Sequence, residues 1–224
     1  MKTLEQALKY ENPDLIQKFL DRYAVTREEA LDIFEETKRW LWFAANAEKC
    51  DLSINDPMYM IDEMWHLFIA DTKNYMEYCN KNFDRYIHHF PITQAEREKA
   101  AKKFKENPEK YKKDRIKRIQ GQFREICRLL GKRTLYKWQL MYREQYTPEI
   151  RKDLAVAAFG DKSITPMFPL SERHKNKMFE MLYVQELDEE PLIDEIIKIE
   201  LASTSMWPNH GCGAYCSCRR ACQA

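Results

Sequence analysis

Apolar residues recur along most of this chain at three- and four-residue steps, the period of a helix with one buried face, and β-branched alternation of the strand kind is absent. Thr26-Arg27-Glu28-Glu29 opens one such stretch: the Thr26 hydroxyl and the Glu29 carboxylate satisfy each other's free backbone N–H groups as a capping box. Ala30, Ile33, Phe34, Thr37, Trp40, Leu41 and Ala44 follow at helical spacing. A second apolar face runs through Ile61, Met64, Trp65 and Phe68, then past Asp71-Thr72 through Tyr75, Met76, Cys79 and Phe83. Its start falls at Asp56-Pro57, because the N–H that proline lacks is not needed at the first helical position. The pattern leaves open whether this is one bent helix or two.

Pro91 closes that region, and Thr93-Gln94-Ala95-Glu96 is a second capping box that opens a strongly charged helix. Asn107-Pro108 restarts it, and Ile116, Ile119, Phe123, Ile126, Cys127 and Leu130 form one stripe that Gly131 ends. Leu135 to Tyr146 and Pro148 to Phe159 read as two further helices. Gly160 to Leu170 reads as a loop, followed by helices around Lys175 to Gln185 and Pro191 to Leu201, and composition changes at Trp207-Pro208. The expectation is an all-α, irregular multi-helix bundle over residues 1–205 with a short Cys-rich C-terminal tail over 206–224. Only five glycines occur, which agrees with long helices and few tight turns.

Composition adds that the chain is globular: 44% hydrophobic and 33% charged residues give both a core and a solvated surface, and exclude disorder throughout. No apolar run approaches the roughly 20 residues of a membrane span, and Met1 to Gln6 lacks a signal peptide's apolar stretch, so we expect a cytoplasmic protein without membrane contact. In that compartment seven cysteines read as metal ligands, reactive thiols or core residues rather than as a disulfide framework.

The net charge of +1 hides a polarised chain. Arg97 to Arg133 carries 15 Lys/Arg against 5 Asp/Glu, while Glu180 to Glu200 carries 8 acids against Lys198 alone. Lys102, Lys103, Lys110, Lys112, Lys113 and Arg115, interleaved with Phe104 and Tyr111, form a stretch suited to nucleic acid or an acidic partner. The interspersed Glu98, Glu106, Glu109 and Asp114 and the lack of a nucleic-acid motif favour a solvated helix face, and the stretch could equally face the acidic segment within one molecule.

Two groups of residues carry candidate chemistry. Asp62 and His66 lie four apart, so on a helix they are neighbours, and the carboxylate can fix the tautomer and orientation of the imidazole. They are the catalytic candidates. His88 and His89 lie beyond the helix on a segment able to fold back towards His66 and Cys79, which would gather nitrogen and sulfur ligands suited to zinc or iron. The competing reading is structural: a local Asp62–His66 bond, a buried Cys79 and histidines at a helix end.

Asp62, Trp65-His66, Phe68, Thr72, Tyr75, Cys79, Phe83 and His88-His89-x-Pro91 resemble the signature of bacterial helical proteins similar to the glycine-rich domain-containing protein family. The resemblance covers about residues 61–91 and implies a helical fold, sometimes with a Gly/Cys-rich tail, and no particular reaction. That pattern has glycine where this chain has Asp84, and often a second histidine where it has Phe68.

The second group is the tail, where His210 precedes Cys212, Cys216, Cys218 and Cys222 in a C-x3-C-x-C-x3-C array with nearby glycines. Four such thiols can surround one tetrahedral metal, form disulfides, or belong to a tail modified by another enzyme, with the helical body as its recognition handle. The functional expectation is a metal-binding helical protein with a hydrolytic or redox activity open to it, against the alternative of a non-enzymatic interaction module built on the basic helix.

Overall fold

The computed structural model describes residues 2–48, 50–159 and 188–202. The expected loop at 160–170, the helix expected at 175–185, the boundary at 205/206 and His210, Cys212, Cys216, Cys218 and Cys222 lie outside the described residues. Within them the protein is helical and contains no β-strand, as the periodicity requires.

Two short helices absent from the sequence reading come first. Thr3 and Gln6 form a capping box that starts α1 (Leu4–Leu8), and Asn12 caps α2 (Pro13–Leu20), whose proline stands at the first helical position. Both lie against α3 (Arg27–Asn46), the central helix, which begins at the Thr26–Glu29 capping box as expected. Lys38 of α3 reaches back to α1 and donates from Nζ to the carbonyls of Leu8 (2.6 Å) and Tyr10 (2.7 Å), satisfying groups that a helix end leaves open. Burial pushes the Lys38 ammonium below the usual lysine range.

The Asp56-Pro57 start is a single 3-10 turn, Asp56–Met58, rather than a capped α-helix. The Asp56 carboxylate is taken by Arg151 at 2.9 Å instead of capping. The face from Ile61 to Phe83 resolves into two helices, α4 (Tyr59–Ala70) and α5 (Thr72–Phe83), broken at Asp71. The chain leaves α5 through Asp84 in the left-handed region (φ 56°), a conformation that glycine takes freely and that aspartate tolerates better than most residues.

Beyond an extended segment, α6 (Gln94–Glu106) starts at Thr93 and α7 (Pro108–Leu130) at Asn107. Gly131, at φ 84°, then separates α7 from α8 (Lys132–Tyr136). The helix expected over Leu135 to Tyr146 is interrupted by a π-helical turn, Lys137–Met141, before α9 (Tyr142–Gln145). The wider turn accompanies a polar network against α3. Lys137 Nζ bonds Glu36 (2.9 Å), Trp138 Nε1 donates to the same carboxylate (2.7 Å), and the Tyr142 hydroxyl donates to Asp32 (2.8 Å). Two consecutive side chains, Lys137 and Trp138, thus address one buried glutamate.

Next come α10 (Pro148–Phe159) and, among the described residues, α11 (Glu189–Ala202). The latter packs Leu192, Ile193, Ile196 and Ile197 inward, and Arg124 of α7 grips Glu190 through two bonds of 2.6 and 2.8 Å. Arg143 and Glu200 form a second ion pair. The acidic end therefore meets part of the basic stretch within one molecule. The core is rich in rings: Trp40, Trp65, Trp138, Tyr75, Phe43 and Phe68 are all buried, each phenylalanine contributing roughly 1.5–3 kcal/mol. No described helix is long and apolar enough to cross a membrane.

Candidate metal centre

Three donors meet where α4 faces the segment that follows α5. Asp62 and His66 project from α4 one turn apart, and His89 arrives from the extended segment after Ile87. One ligand atom from each, a carboxylate oxygen and two imidazole nitrogens, all lie within 4.8 Å of one another. The nearest histidine to Asp62 is His89 rather than the expected His66: Oδ1 is 3.1 Å from His89 Nε2, whereas Oδ2 is 3.9 Å from His66 Nδ1. The two rings stand 4.4 Å apart between centroids.

The aromatic residues between these donors build the wall that holds His89. Trp65 Nε1 donates to the Tyr75 hydroxyl (2.9 Å), which donates in turn to the carbonyl of Ile87 (2.6 Å). That relay is wholly buried, and it pins the chain two residues before His89. The Trp65 indole then meets the His89 ring at 4.5 Å in an edge-on arrangement. In extended chain alternate residues face the same way, so buried Ile87 and inward His89 share a side while His88 is exposed, between the rings of Tyr86 (4.8 Å) and Phe90 (5.7 Å). His88 is not brought to the other donors.

Cys79 is not brought there either. Its thiol lies buried beneath the same segment beside Tyr75 and the Ile87 backbone, and burial pushes its pKa up. It serves as a small core residue that supports the loop.

Burial and charge differ across the three donors. The Asp62 side chain is fully buried, that of His89 is 8% exposed and that of His66 is 40% exposed, so the group opens outward at His66. Glu63, which the sequence reading left without a role, stands beside it with Oε1 3.7 Å from His66 Nδ1. The Glu63 carboxylate raises the His66 pKa despite partial burial, with Asp62 adding to the effect. Burial would raise Glu63, but its contacts with His66 and with the Tyr23 hydroxyl, which donates to Oε2 at 2.7 Å, hold it below the usual carboxylate range. Glu63 was legible as the residue three before His66 on one helix face. Tyr23, forty residues upstream on another element, carries no such signal.

Two imidazoles and a carboxylate form a donor set that suits zinc or ferrous iron, and three protein donors leave further positions for water or substrate. Of the basic residues singled out from sequence, Lys102 pairs with Glu106 (4.0 Å) and Lys112 with Glu109 (3.2 Å), while Lys103, Lys110 and Lys113 are exposed and Arg115 is half-buried.

Neither the curated proteins nor the solved structures contain a match to this chain. A family model does match, over residues 4–125, which takes in α1 to α6, the donor group and most of α7. It corrects the resemblance drawn from residues 61–91, since the family it describes is not the glycine-rich domain-containing one. With more than half of its length so matched, the chain belongs to the UCP032817-like family.

Proposed function

We propose that the protein binds a divalent transition-metal ion, zinc or iron, through Asp62, His66 and His89. The observation that carries this reading is the convergence of their three ligand atoms within 4.8 Å. Ligand atoms around a tetrahedral ion at 2.0–2.1 Å stand about 3.3 Å apart, so His66, half-exposed and at the open edge, has only to swing inward. Asp62 then acts as a ligand, and Glu63 stands ready as a fourth donor or as a base for a water molecule on the ion. His89 needs no movement towards Asp62, because the Trp65–Tyr75–Ile87 relay already holds it. Metal analysis of protein purified without an affinity tag, followed by calorimetric titration of zinc into the stripped protein, tests the reading. The expected result is one ion per chain, lost in Asp62→Asn, His66→Ala and His89→Ala. Undiminished stoichiometry in all three variants overturns it, and assigns any bound metal to other residues.

A further inference from the structure

The helices that follow the donor group form an arm. No residue of α6 is buried, its principal packing partner is α7, and the first buried residue of α7 is Gln122. Below that point Gln122 fastens α7 to the body through bonds with the backbone of Ser53 (3.0 and 2.8 Å). Above it, α6 and the first turns of α7 run as a helical hairpin about 20 Å long, closed near its tip by an edge-on contact of Phe104 and Tyr111 (5.6 Å).

Between Gln94 and Arg118 this arm holds eleven Lys/Arg against five Asp/Glu, a net +6 in a chain whose total is +1. The acids are mostly engaged within the arm itself. Glu96 closes the Thr93 capping box, Glu98 accepts from Gln94 (3.0 Å), Glu106 pairs with Lys102, and Glu109 with Lys112. Lys103, Lys105, Lys110, Lys113, Lys117 and Arg118, all exposed, enter no ion pair among the described residues. Lys110, Lys113 and Lys117 stand at i, i+3 and i+7, one stripe along about 10 Å of the solvent face of α7.

We infer that the α6–α7 arm binds the phosphate backbone of a nucleic-acid duplex, independently of base sequence. A row of cations along a solvent-exposed helix face suits a continuous row of phosphates, and lysine ammonium groups, as point charges, bind phosphate without demanding a planar partner. A protein partner is disfavoured, since such interfaces centre on apolar or aromatic anchors in pockets and the large hydrophobic residues exposed among the described residues, Leu31, Met76, Val156 and Leu201, all lie outside the arm. The same lack of an exposed apolar face on the arm disfavours its insertion into an anionic membrane.

The test is fluorescence anisotropy of the full chain with labelled DNA and RNA duplexes of about 20 bp, between about 50 and 200 mM salt. If six cations each neutralise one phosphate, affinity falls about a thousandfold across that range, equally for unrelated sequences. The triple variant Lys110→Glu/Lys113→Glu/Lys117→Glu loses binding at the lower salt, whereas Lys9→Glu/Lys18→Glu/Lys73→Glu, with the same charge change on the body, retains most of it. Circular dichroism of both variants confirms that they are folded. The DNA and RNA arms distinguish the source of the phosphates. Equal loss in the two variants, binding of polyglutamate as tight as that of duplex, or capture by phosphatidylserine vesicles in place of duplex overturns the inference.

Discussion

The two histidines of the candidate centre differ in what they do for the fold, and that difference is measurable. His89 is nearly buried, bonded to Asp62 at 3.1 Å and set edge-on against Trp65. Replacing it with alanine removes a hydrogen bond to a carboxylate, worth about 1.5–3 kcal/mol, and an aromatic contact worth about 0.5–1.5 kcal/mol. The metal-free His89→Ala protein should lose about 2–4 kcal/mol, which for a chain of this size lowers the melting temperature by about 5–15 °C. His66 is 40% exposed and stands 3.7–3.9 Å from its carboxylates, so His66→Ala should cost about 0–1 kcal/mol without metal.

Zinc separates the variants from wild type along a second axis. An ion at a hundred times its dissociation constant stabilises the native state by about 2.7 kcal/mol, so wild type should melt about 5–10 °C higher with zinc, and neither variant should respond. The assay is thermal denaturation followed by far-ultraviolet circular dichroism, with zinc and with chelator. A zinc response retained in His89→Ala would show that His89 is no ligand. A His66→Ala protein melting as early as His89→Ala without metal would refute the packing argument itself.

Three further outcomes follow from the same structure. Because its neighbouring carboxylates raise the His66 pKa, protons compete with metal up to a higher pH than at an ordinary imidazole, so zinc uptake should climb as pH rises through that raised pKa; without metal the sign reverses, the stability that protonated His66 supplies below the ordinary histidine range being lost over the same interval. Melting curves against pH, with and without zinc, should show the two opposite slopes, and parallel slopes would refute the assignment. Iodoacetamide near neutral pH, with peptide mapping, should label half-buried Cys50 well before Cys79 and Cys127, since burial raises both of the latter thiols and pushes Cys127 up to about 12; equal rates would refute the burial. Lys137→Met removes one of the two cations on the buried Glu36 carboxylate, Arg39 remaining at 3.4 Å, and should cost about 1–3 kcal/mol in urea denaturation, where no measurable loss would show the pair to be dispensable.

Local rules carried most of the fold. Thr26, Thr93, Asn107-Pro108 and Gly131 mark helix ends through bonds made within three or four residues, so their meaning is contained in the string. The same signals stand at Thr3 to Gln6 and at Asn12-Pro13, but α1 and α2 have five and eight residues, too few for an apolar period to declare itself. The π-helical turn was not legible, because the glutamate that Lys137 and Trp138 share is supplied by α3 about a hundred residues earlier. In the candidate centre, Asp62 and His66 follow from helical spacing, and the inward turn of His89 follows from alternation once Ile87 is known to be buried. The displacement of Cys79 from the donors depends on the Tyr75 relay, a tertiary arrangement with no counterpart in spacing.

The network between α3 and the segment after α8 has a consequence for the order in which the molecule assembles. Its bonds join residues 102 and 110 positions apart, at Glu36–Trp138 and Asp32–Tyr142, and the Arg151–Asp56 pair spans 95. Closing a loop of about a hundred residues costs about 4 kcal/mol of chain entropy before any contact compensates it. The contacts of α1 to α5 are local by comparison, so they are placed to form early in folding and the closure of 137–151 onto α3 to form late. The family-matched segment ends at residue 125, short of every residue that answers Glu36 and Asp32 from beyond α7. A chain cut at that boundary keeps Asp62, His66 and His89 but takes Lys137 and Trp138 away from Glu36 and uncovers Trp40, whose indole packs on Trp138 at 6.0 Å. The smallest piece that folds as this body does therefore extends at least through α10.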